Sequence, residues 1–389
     1  MQITDVRLTR ISGTYTGPEF PAGSRQSRPL DVYDTFNAHE GGGGKRVKIR
    51  ALYVEVEADG VVGLFGPIQE TQAFVILKQL RSHLIGQDPM ATELLLDQMI
   101  RLDRHGRTGQ IMTGISSVDL ALWDLRGKVL GTSVARLLGG LTREVVPAYA
   151  SMLGFSIEPD QAGSLAAEYQ AKGFTAQKWF FRFGPGDGKA GIAKNLAMAA
   201  AVRDAVGDDY ELMFDAFNGW TLPYATEMVR ALEPIVPTWM EEPFAPERVS
   251  ELRKLRSVAR VPIATGEHVY TRWQVKELLV NEAVDVLQTD PDWTGGITEL
   301  KKICALASAF EVPVVAHGHS LLPALHVAAS ESPTTVPRVE FLIRGQETKQ
   351  FFHDPIYRPK DGDVRVPDLP GLGLILDESK IESRESLTF

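Results

Sequence analysis

The sequence has few of the features that would indicate a secreted or membrane-bound protein. It contains one cysteine, Cys304, so no disulfide can form within the chain. No apolar run is long enough to cross a bilayer, and the N-terminal residues alternate between polar and apolar types, unlike the apolar core of a signal peptide. Basic residues number 41 against 50 acidic ones, and the net charge of −9 gives no general attraction for nucleic acid or anionic membranes. We expect a soluble cytoplasmic homo-oligomer whose partner is a small molecule.

The composition and the first third of the chain indicate a globular protein with an α+β domain at its start. The 389 residues are 44% hydrophobic and 23% charged, which excludes disorder as the main class. Residues 48–66 are typical of a β-hairpin with an Asp-Gly turn. Residues 70–104 and 114–138 carry apolar residues at helical spacing. We predict an N-terminal α+β domain over residues 1–138.

From about residue 145 the pattern changes to short apolar runs that alternate with helical stretches. Eight such runs occur before residue 343, each four to seven residues long. Strands separated by helices pair in parallel through right-handed crossovers, and eight such units close into a (β/α)8-type barrel. We predict this barrel over residues 139–360. The last part, 361–389, is rich in proline and glycine and is predicted to pack back on the N-terminal domain.

Acidic residues follow the apolar runs at a regular spacing. Asp215, Glu241 and Glu267 stand 26 residues apart, at the end of successive predicted strands. Carboxyl ends of barrel strands meet at one mouth, where three unpaired carboxylates would repel one another. A divalent cation with oxygen ligands, Mg²⁺ or Mn²⁺, resolves that repulsion better than Zn²⁺ would. The alternative is that each carboxylate is an ordinary helix cap or surface ion pair.

The same spacing of about 25 residues places an aspartate and a histidine at the ends of the next two predicted strands. Asp290 lies 23 residues after Glu267, and His317 lies 27 residues after Asp290. An aspartate that orients an imidazole makes it a good general base. The alternatives are that His317 is a core histidine, that His319 is the reactive one, or that Asp292 replaces Asp290.

Lys178 is a further candidate, because it lies within the apolar run of the second predicted strand. At the barrel mouth it would neutralise an anionic substrate or act as acid or base. The alternative is that Lys178 is an ordinary solvent-exposed lysine with no role in the site. His39 lies in the loop-rich stretch 13–45, whose four consecutive glycines predict mobility. It is a candidate to bind the distal end of a substrate, the alternative being a solvent-exposed loop histidine.

These residues, in this order, resemble the enolase superfamily, in its mandelate racemase branch. The resemblance covers nearly the whole chain and implies a modified TIM barrel with an N-terminal capping domain. It implies that Asp215, Glu241 and Glu267 bind Mg²⁺, that Asp290 and His317 form the catalytic dyad, and that Glu340 on the last strand contacts the substrate. The motifs that carry it are Asp215, Trp239-Met240-Glu241-Glu242-Pro243, Gly266-Glu267-His268, Gln288-Thr289-Asp290 with Gly295-Gly296, and Ala316-His317-Gly318.

One departure from the branch narrows the expected activity. Members of the branch that use two catalytic bases carry a Lys-x-Lys motif on the second strand. Here Lys178 matches the first lysine, but Phe180 occupies the position of the second. Together with His268, Trp293 and the glycine-rich run at 184–188, this is similar to the rhamnonate dehydratase group. The resemblance implies an acid-sugar dehydratase that removes the proton α to a carboxylate and eliminates water, with His268 and Trp293 near the substrate. A racemase or epimerase, or a non-catalytic sugar-acid-binding homologue, remains the alternative.

Overall fold

The capping domain is built on an antiparallel sheet whose apolar face is covered by helices. The computed structural model describes residues 1–388. The strands of this part are β1 (Ile3–Thr14), β2 (Gly23–Ser24), β3 (Glu40–Gly41), β4 (Lys48–Ala58) and β5 (Val61–Ile68). Strands β1, β4 and β5 pair side by side, and β2 pairs with β3 separately. The predicted hairpin is confirmed: Asp59 and Gly60 have φ values of 48° and 79°, as a two-residue turn with a primed geometry requires.

The helices of this domain follow the hairpin. They are α1 (Glu70–Val75), a π-helical turn (Ile76–Leu80), α2 (Arg81–Leu84), α3 (Thr92–Leu102), α4 (Gly109–Val129) and α5 (Val134–Leu137), with short 3-10 turns earlier at Pro29–Val32 and Asp34–Phe36. Helix α4 is buried along most of its length. Gly63 permits its close approach to β5, because a Cβ there would lie 2.2 Å from the carbonyl oxygen of Ala121.

The second part of the chain alternates strands and helices, as predicted, and its strands pair in parallel. The strands are β6 (Val145–Ser151), β7 (Ala176–Phe180), β8 (Glu211–Asp215), β9 (Trp239–Glu241), β10 (Ile263–Thr265), β11 (Val286–Leu287) and β12 (Val339–Leu342). The helices are α6 (Pro159–Ala171), α7 (Gly188–Val206), α8 (Leu222–Ala231), α9 (Val249–Val258), α10 (Thr271–Val280), α11 (Pro291–Thr294), α12 (Gly296–Ser308), α13 (Leu321–Ser330) and α14 (Ile343–Lys349), with 3-10 turns at Pro185–Asp187 and Glu233–Ile235.

The parallel sheet curls until its last strand meets its first. Strands β6 to β11 pair in sequence order, and β12 pairs with β6. The predicted seventh strand is reduced to a bridge between Val314 and Leu287, supported by a hydrogen bond of 2.7 Å from the amide of Val315 to the Leu287 carbonyl. The fold is therefore the (β/α)8-type barrel that the alternation predicts. No helix within residues 1–388 is long and apolar enough to cross a membrane.

Side-chain alternation along the strands sorts the barrel interior into layers. An apolar layer contains Tyr149, Ala176, Met213, Trp239, Ala264, Val286 and Val315. Because side chains alternate between the two faces of a strand, the residue two positions further along each strand also points inward. Those positions are Ser151, Lys178, Asp215, Glu241, Gly266, Gln288 and His317. The polar layer at the carboxyl ends is thus a direct consequence of strand register.

The C-terminal segment contacts both parts of the fold. Strand β13 (Asp363–Arg365) pairs antiparallel with β6 of the barrel. After a 3-10 turn at Glu378–Lys380, β14 (Ser383–Ser386) pairs antiparallel with β1 of the capping sheet. The end of the chain therefore forms an edge strand of the N-terminal sheet. The boundaries 1–138, 139–360 and 361–389 stay predictions.

Buried His326 links three elements and makes stability depend on pH. Its Nδ1 accepts the amide hydrogen of Ala135 at 3.2 Å, so the proton on Nε2 is donated to the carbonyl of Leu372 at 3.0 Å. Burial lowers the pKa of His326 to about 4, below its ordinary value of 6.5, because the charged ring is poorly solvated there. The folded state therefore disfavours protonation, and stability that is full above pH 6.5 is lost as pH falls towards 4.

We expect His326→Gln to reduce this pH dependence. The lowered pKa of His326 corresponds to about 3 kcal/mol of folding stability, which is lost as the pH falls from about 6.5 to about 4. Thermal midpoints at pH 7.5 and 4.5 should fall further apart in the wild type than in the variant, whose side chain does not titrate. If the thermal midpoint fell by the same amount in the wild type and the variant, His326 would not contribute to the pH dependence of stability. The buried His353, whose pKa is also lowered to about 4 by burial, adds a loss of the same sign to both proteins.

Candidate active site

Lys178 lies at the centre of the polar layer and is surrounded by carboxylates. Its Nζ lies 2.5 Å from Glu241 Oε1, 3.0 Å from Glu340 Oε1 and 3.5 Å from Asp215 Oδ2. The side chain is 1% exposed. Burial alone would lower the pKa of Lys178, but the carboxylates outweigh it and raise that pKa well above the ordinary value. Lys178 is therefore a fixed positive charge, as expected for a group that neutralises an anion.

Glu241 is held by donors on both of its oxygens. In addition to the Lys178 contact, Oε2 accepts from Trp239 Nε1 at 3.0 Å and from Gln288 Nε2 at 2.6 Å. Gln288 directly follows β11. It lies two residues after Val286, which belongs to the apolar layer, and so belongs to the polar layer above it. Gln288 belongs to the motif Gln288-Thr289-Asp290, but the motif alone did not indicate a role for it.

A second group of side chains lies next to these and shares Glu267 with the predicted metal site. One ligand atom from each of Glu242, Glu267 and His268 lies within 4.8 Å of the others. His268 Nδ1 is 2.9 Å from Glu242 Oε1 and 3.6 Å from Glu267 Oε1. Asn218 Nδ2 donates to the other oxygen of Glu242 at 2.9 Å. Glu242 was missed as a site residue, although the Glu-Glu-Pro motif contains it.

The backbone explains why adjacent glutamates reach different parts of the site. Glu241 ends the strand in extended geometry, whereas Glu242 has a φ of 43°, in the left-handed region. That conformation is uncommon for residues other than glycine and is enriched at functional sites. Both carboxylates are consequently buried near the barrel mouth.

The electrostatics of this region fit a divalent cation. Burial and the neighbouring Glu241 raise the pKa of Asp215 well above its ordinary range, and burial with Glu242 does the same for Glu267. Asn218 Oδ1 is also buried without a hydrogen-bond partner among the described residues. Oxygen donors dominate the set, which suits Mg²⁺. The chain thus presents an acidic cluster able to hold a metal ion.

The predicted aspartate–histidine pair is formed across neighbouring strands. His317 Nδ1 lies 2.7 Å from Asp290 Oδ2, and the other Asp290 oxygen accepts the amide hydrogen of Asp292 at 2.6 Å. The carboxylate accepts the Nδ1 proton, so Nε2 is the free end of the ring, 3.7 Å from Glu267 Oε2. Burial would lower the pKa of His317, but the Glu267 charge and the Asp290 hydrogen bond outweigh burial and raise it to about 9.

The residues that the sequence left as alternatives to this dyad form a second pair. His319 Nδ1 lies 2.6 Å from Asp292 Oδ2, which also accepts from Ser320 Oγ at 2.5 Å. Asp290 and Asp292 therefore do not compete for one histidine; each orients its own. Sequence spacing alone could not show this, because the pairing depends on the turn that leads into α11.

The remaining predicted residues surround the dyad or lie further out. Glu340 accepts the amide hydrogen of Gly318 at 2.8 Å on the oxygen that does not face Lys178. Trp293 stacks on His317 at 4.9 Å between ring centroids and contacts His268 at 5.6 Å. These three predicted contact residues, Glu340, Trp293 and His268, are thus grouped at the barrel mouth.

His39 lies on the N-terminal loop, which the structure ties to the barrel. Its ring packs on Phe183 at 4.9 Å between centroids. The buried Arg182 donates to Asp31 at 3.2 Å, to Asn37 at 2.5 Å and to the carbonyl of Ala38 at 3.0 Å. These contacts anchor the residues around His39 just beyond the end of β7. Arg182 could not be identified from the sequence, since its partners are far away in the chain.

Comparisons with known proteins agree with the fold and the motifs. A family model for the mandelate racemase / muconate lactonizing enzyme N-terminal domain matches residues 43–139, and one described as enolase C-terminal domain-like matches residues 161–380. The L-rhamnonate dehydratase of Saccharopolyspora erythraea is 33% identical over 363 residues, which cover 90% of this chain and 88% of that protein.

Solved structures of enolase-superfamily members have the same fold as this chain. Rhamnonate dehydratase from Gibberella zeae complexed with Mg has a TM-score of 0.84 at 29% identity, over 97% of this chain and 95% of that one. A racemase from Streptomyces coelicolor with bound magnesium has a TM-score of 0.79 at 25% identity, over 97% and 98% of the two chains. The chain therefore belongs to the enolase superfamily, in the mandelate racemase / muconate lactonizing enzyme branch.

Proposed function

We propose that the protein is a Mg²⁺-dependent acid-sugar dehydratase, a carbon–oxygen lyase that converts a 2,3-dihydroxy acid into a 2-keto-3-deoxy acid. The observation that carries the proposal is the imidazole of His317, oriented by Asp290 and directed at the acidic cluster. Relatives named rhamnonate dehydratase over most of the chain support the lyase class. Their names make L-rhamnonate the first substrate to test.

His317 is proposed to remove the α-proton. Asp290 accepts the Nδ1–H, which fixes the ring orientation and leaves Nε2 free to take a proton from carbon. Asp290 also stabilises the positive charge that forms on the ring when Nε2 takes the proton. We propose that the substrate therefore lies with its α-hydrogen towards Nε2.

Removal of that proton leaves negative charge on the substrate carboxylate, which the site is proposed to stabilise. Asp215, Glu241 and Glu267 would hold the Mg²⁺, which supplies a Lewis acid when bound. Lys178 adds a fixed positive charge beside this cluster. Such charges accelerate the reaction because they act more strongly on the transition state than on the substrate.

A racemase on the same scaffold would need a second base facing His317. Phe180 cannot serve, and its ring lies 5.2 Å from Lys178 Nζ. Lys178 itself is held protonated by three carboxylates, which removes its ability to accept a proton at neutral pH. The contacts of these two residues favour elimination over racemisation.

The test is a panel of aldonic and aldaric acids, including L-rhamnonate, incubated with the enzyme and Mg²⁺. We expect keto-acid formation from at least one member, and its loss in excess chelator followed by recovery when Mg²⁺ is restored. Exchange of the α-proton with inversion and without loss of water would favour a racemase. Ligand binding without any turnover would favour a non-catalytic binding protein, and activity that resists chelation would contradict the metal assignment.

A further inference from the structure

A second aspartate–histidine pair lies directly beside the proposed catalytic dyad and has no place in the mechanism above. His319 is bonded to Asp292 at 2.6 Å, and His317 to Asp290 at 2.7 Å. In both pairs the contact uses Nδ1, so Nε2 is the outward end of each ring. The two pairs are therefore built alike, two residues apart on the same pair of neighbouring chain segments.

The two imidazoles lie within reach of one small substrate. Their ring centroids are 6.4 Å apart, and the ring planes differ by 26°. Trp293 contacts both rings, at 4.9 Å for His317 and 5.2 Å for His319. One substrate could therefore contact both rings, with its α-carbon about 3 Å from one imidazole and the oxygen on its next carbon about 3 Å from the other.

The chemistry of Asp292 indicates more than a structural role. Its side chain is 2% exposed, and its Oδ1 has no hydrogen-bond partner among the described residues. Burying a carboxylate is costly unless its charge is compensated, and the cationic side chain that directly contacts it is His319 when protonated. An asparagine would satisfy Ser320 and a neutral imidazole at lower cost. Because Nδ1 of His319 is bonded to Asp292, the free Nε2 is the ring atom that can donate a proton to a substrate.

His319 lies next to the capping domain. A small cavity of about 20 Å³ is lined by His319 and Ser320 from the barrel and by Phe65 and Pro67 from the capping domain. Lys349 donates to the backbone carbonyl of His319 at 2.6 Å, which fixes the position of this residue. His319 is thus flanked by the ring of His317 on one side and by residues of the capping domain on another.

We propose that His319, oriented by Asp292, is the general acid that protonates the departing hydroxyl. The inference rests on the proposed dehydratase function. His317 takes the proton from C2, the C2–H electron pair forms the C2–C3 double bond, and the C3–O bond breaks as His319 donates the proton that makes water. The enol then tautomerises to the 2-keto-3-deoxy acid, and both rings exchange protons with solvent to restore their starting states.

The experiment compares two leaving groups in His319→Asn, His317→Asn and the surface control His83→Asn. The probes are the acid that the wild type dehydrates, L-rhamnonate being tried first, and its 3-deoxy-3-fluoro analogue, since fluoride leaves without a proton. We expect His319→Asn to lose at least a hundredfold in kcat with the hydroxy acid and to stay within threefold of the wild type in fluoride release. In D₂O it should also exchange the α-proton of recovered substrate, whereas His317→Asn should lose all three activities.

Each other outcome has a distinct meaning. Equal losses with both leaving groups would show that His319 only positions the site, and unchanged dehydration would show that His317 acts alone; either result overturns the assignment. Folding of each variant is checked by circular dichroism, with His319→Gln as a second substitution. Inactivity of the wild type on every acid of the panel would defeat the dehydratase proposal itself and, with it, the role given to His319.

Discussion

Replacing His317 with asparagine is expected to lower kcat for keto-acid formation by about a thousandfold, within the range of general-base contributions. The loss follows from the removal of Nε2, the free end of the ring that Asp290 orients. The variant keeps an amide able to bond Asp290, so the site should remain folded. Steady-state kinetics with saturating Mg²⁺ and the substrate found in the panel measures the effect.

The control for this prediction is His83→Asn, the same change at an exposed histidine of α2. Its kcat should equal that of the wild type, and the Mg²⁺ affinity of His317→Asn should stay within a few-fold of the wild-type value. A His317→Asn enzyme with full activity would remove the base assignment. Loss of Mg²⁺ binding in that variant would instead show that the imidazole acts through the metal site.

Glu267→Gln is expected to separate stability from activity. The pKa of Glu267 is raised by burial and by the charge of Glu242, so its ionised form destabilises the metal-free protein at neutral pH. Removing that charge should raise the thermal midpoint of the metal-free protein by about 1–2 °C. The same change removes a proposed ligand, so kcat should fall about a thousandfold or more, in line with the charge stabilisation assigned to such sites.

Differential scanning calorimetry with and without Mg²⁺ measures the stability half of this prediction, and steady-state kinetics measures kcat. Mg²⁺ at a hundred times its dissociation constant should stabilise the wild type by about 2.7 kcal/mol and should not stabilise the variant. Glu227→Gln, at an exposed position of α8, is the matched control and should behave as the wild type. An unchanged Mg²⁺ effect in Glu267→Gln would contradict the role of this carboxylate.

The residues at strand ends were predictable because they depend on a repeat. One βα unit takes about 25 residues here, so Asp215 and Glu241 end β8 and β9 at equivalent inward positions. On β10 that position is Gly266, and Glu267 follows it two residues after the strand ends at Thr265. The hairpin turn was likewise encoded locally, in two residues whose backbone preferences require it.

Features that depend on side-chain direction beyond the strand ends were not predictable. Glu242 enters the site because its backbone is left-handed, which the doublet of glutamates does not reveal. The pairing of His319 with Asp292 depends on two turns in register. The loop expected to be mobile is anchored by Arg182, whose partner Asp31 lies 151 residues away in the sequence. The last two of these depend on contacts between segments that are far apart in the sequence.

We propose that Asp215, Glu241 and Glu267 share one divalent cation next to His317, and the proposed function depends on this site. Its most direct test is a crystal soaked in Mn²⁺, with diffraction data collected at the manganese absorption edge. We expect a single anomalous peak within ligand distance, about 2.0–2.3 Å, of an oxygen from each of those three carboxylates. A peak held by Glu242, Glu267 and His268 without Asp215 and Glu241, or no peak near the barrel mouth at all, would contradict it.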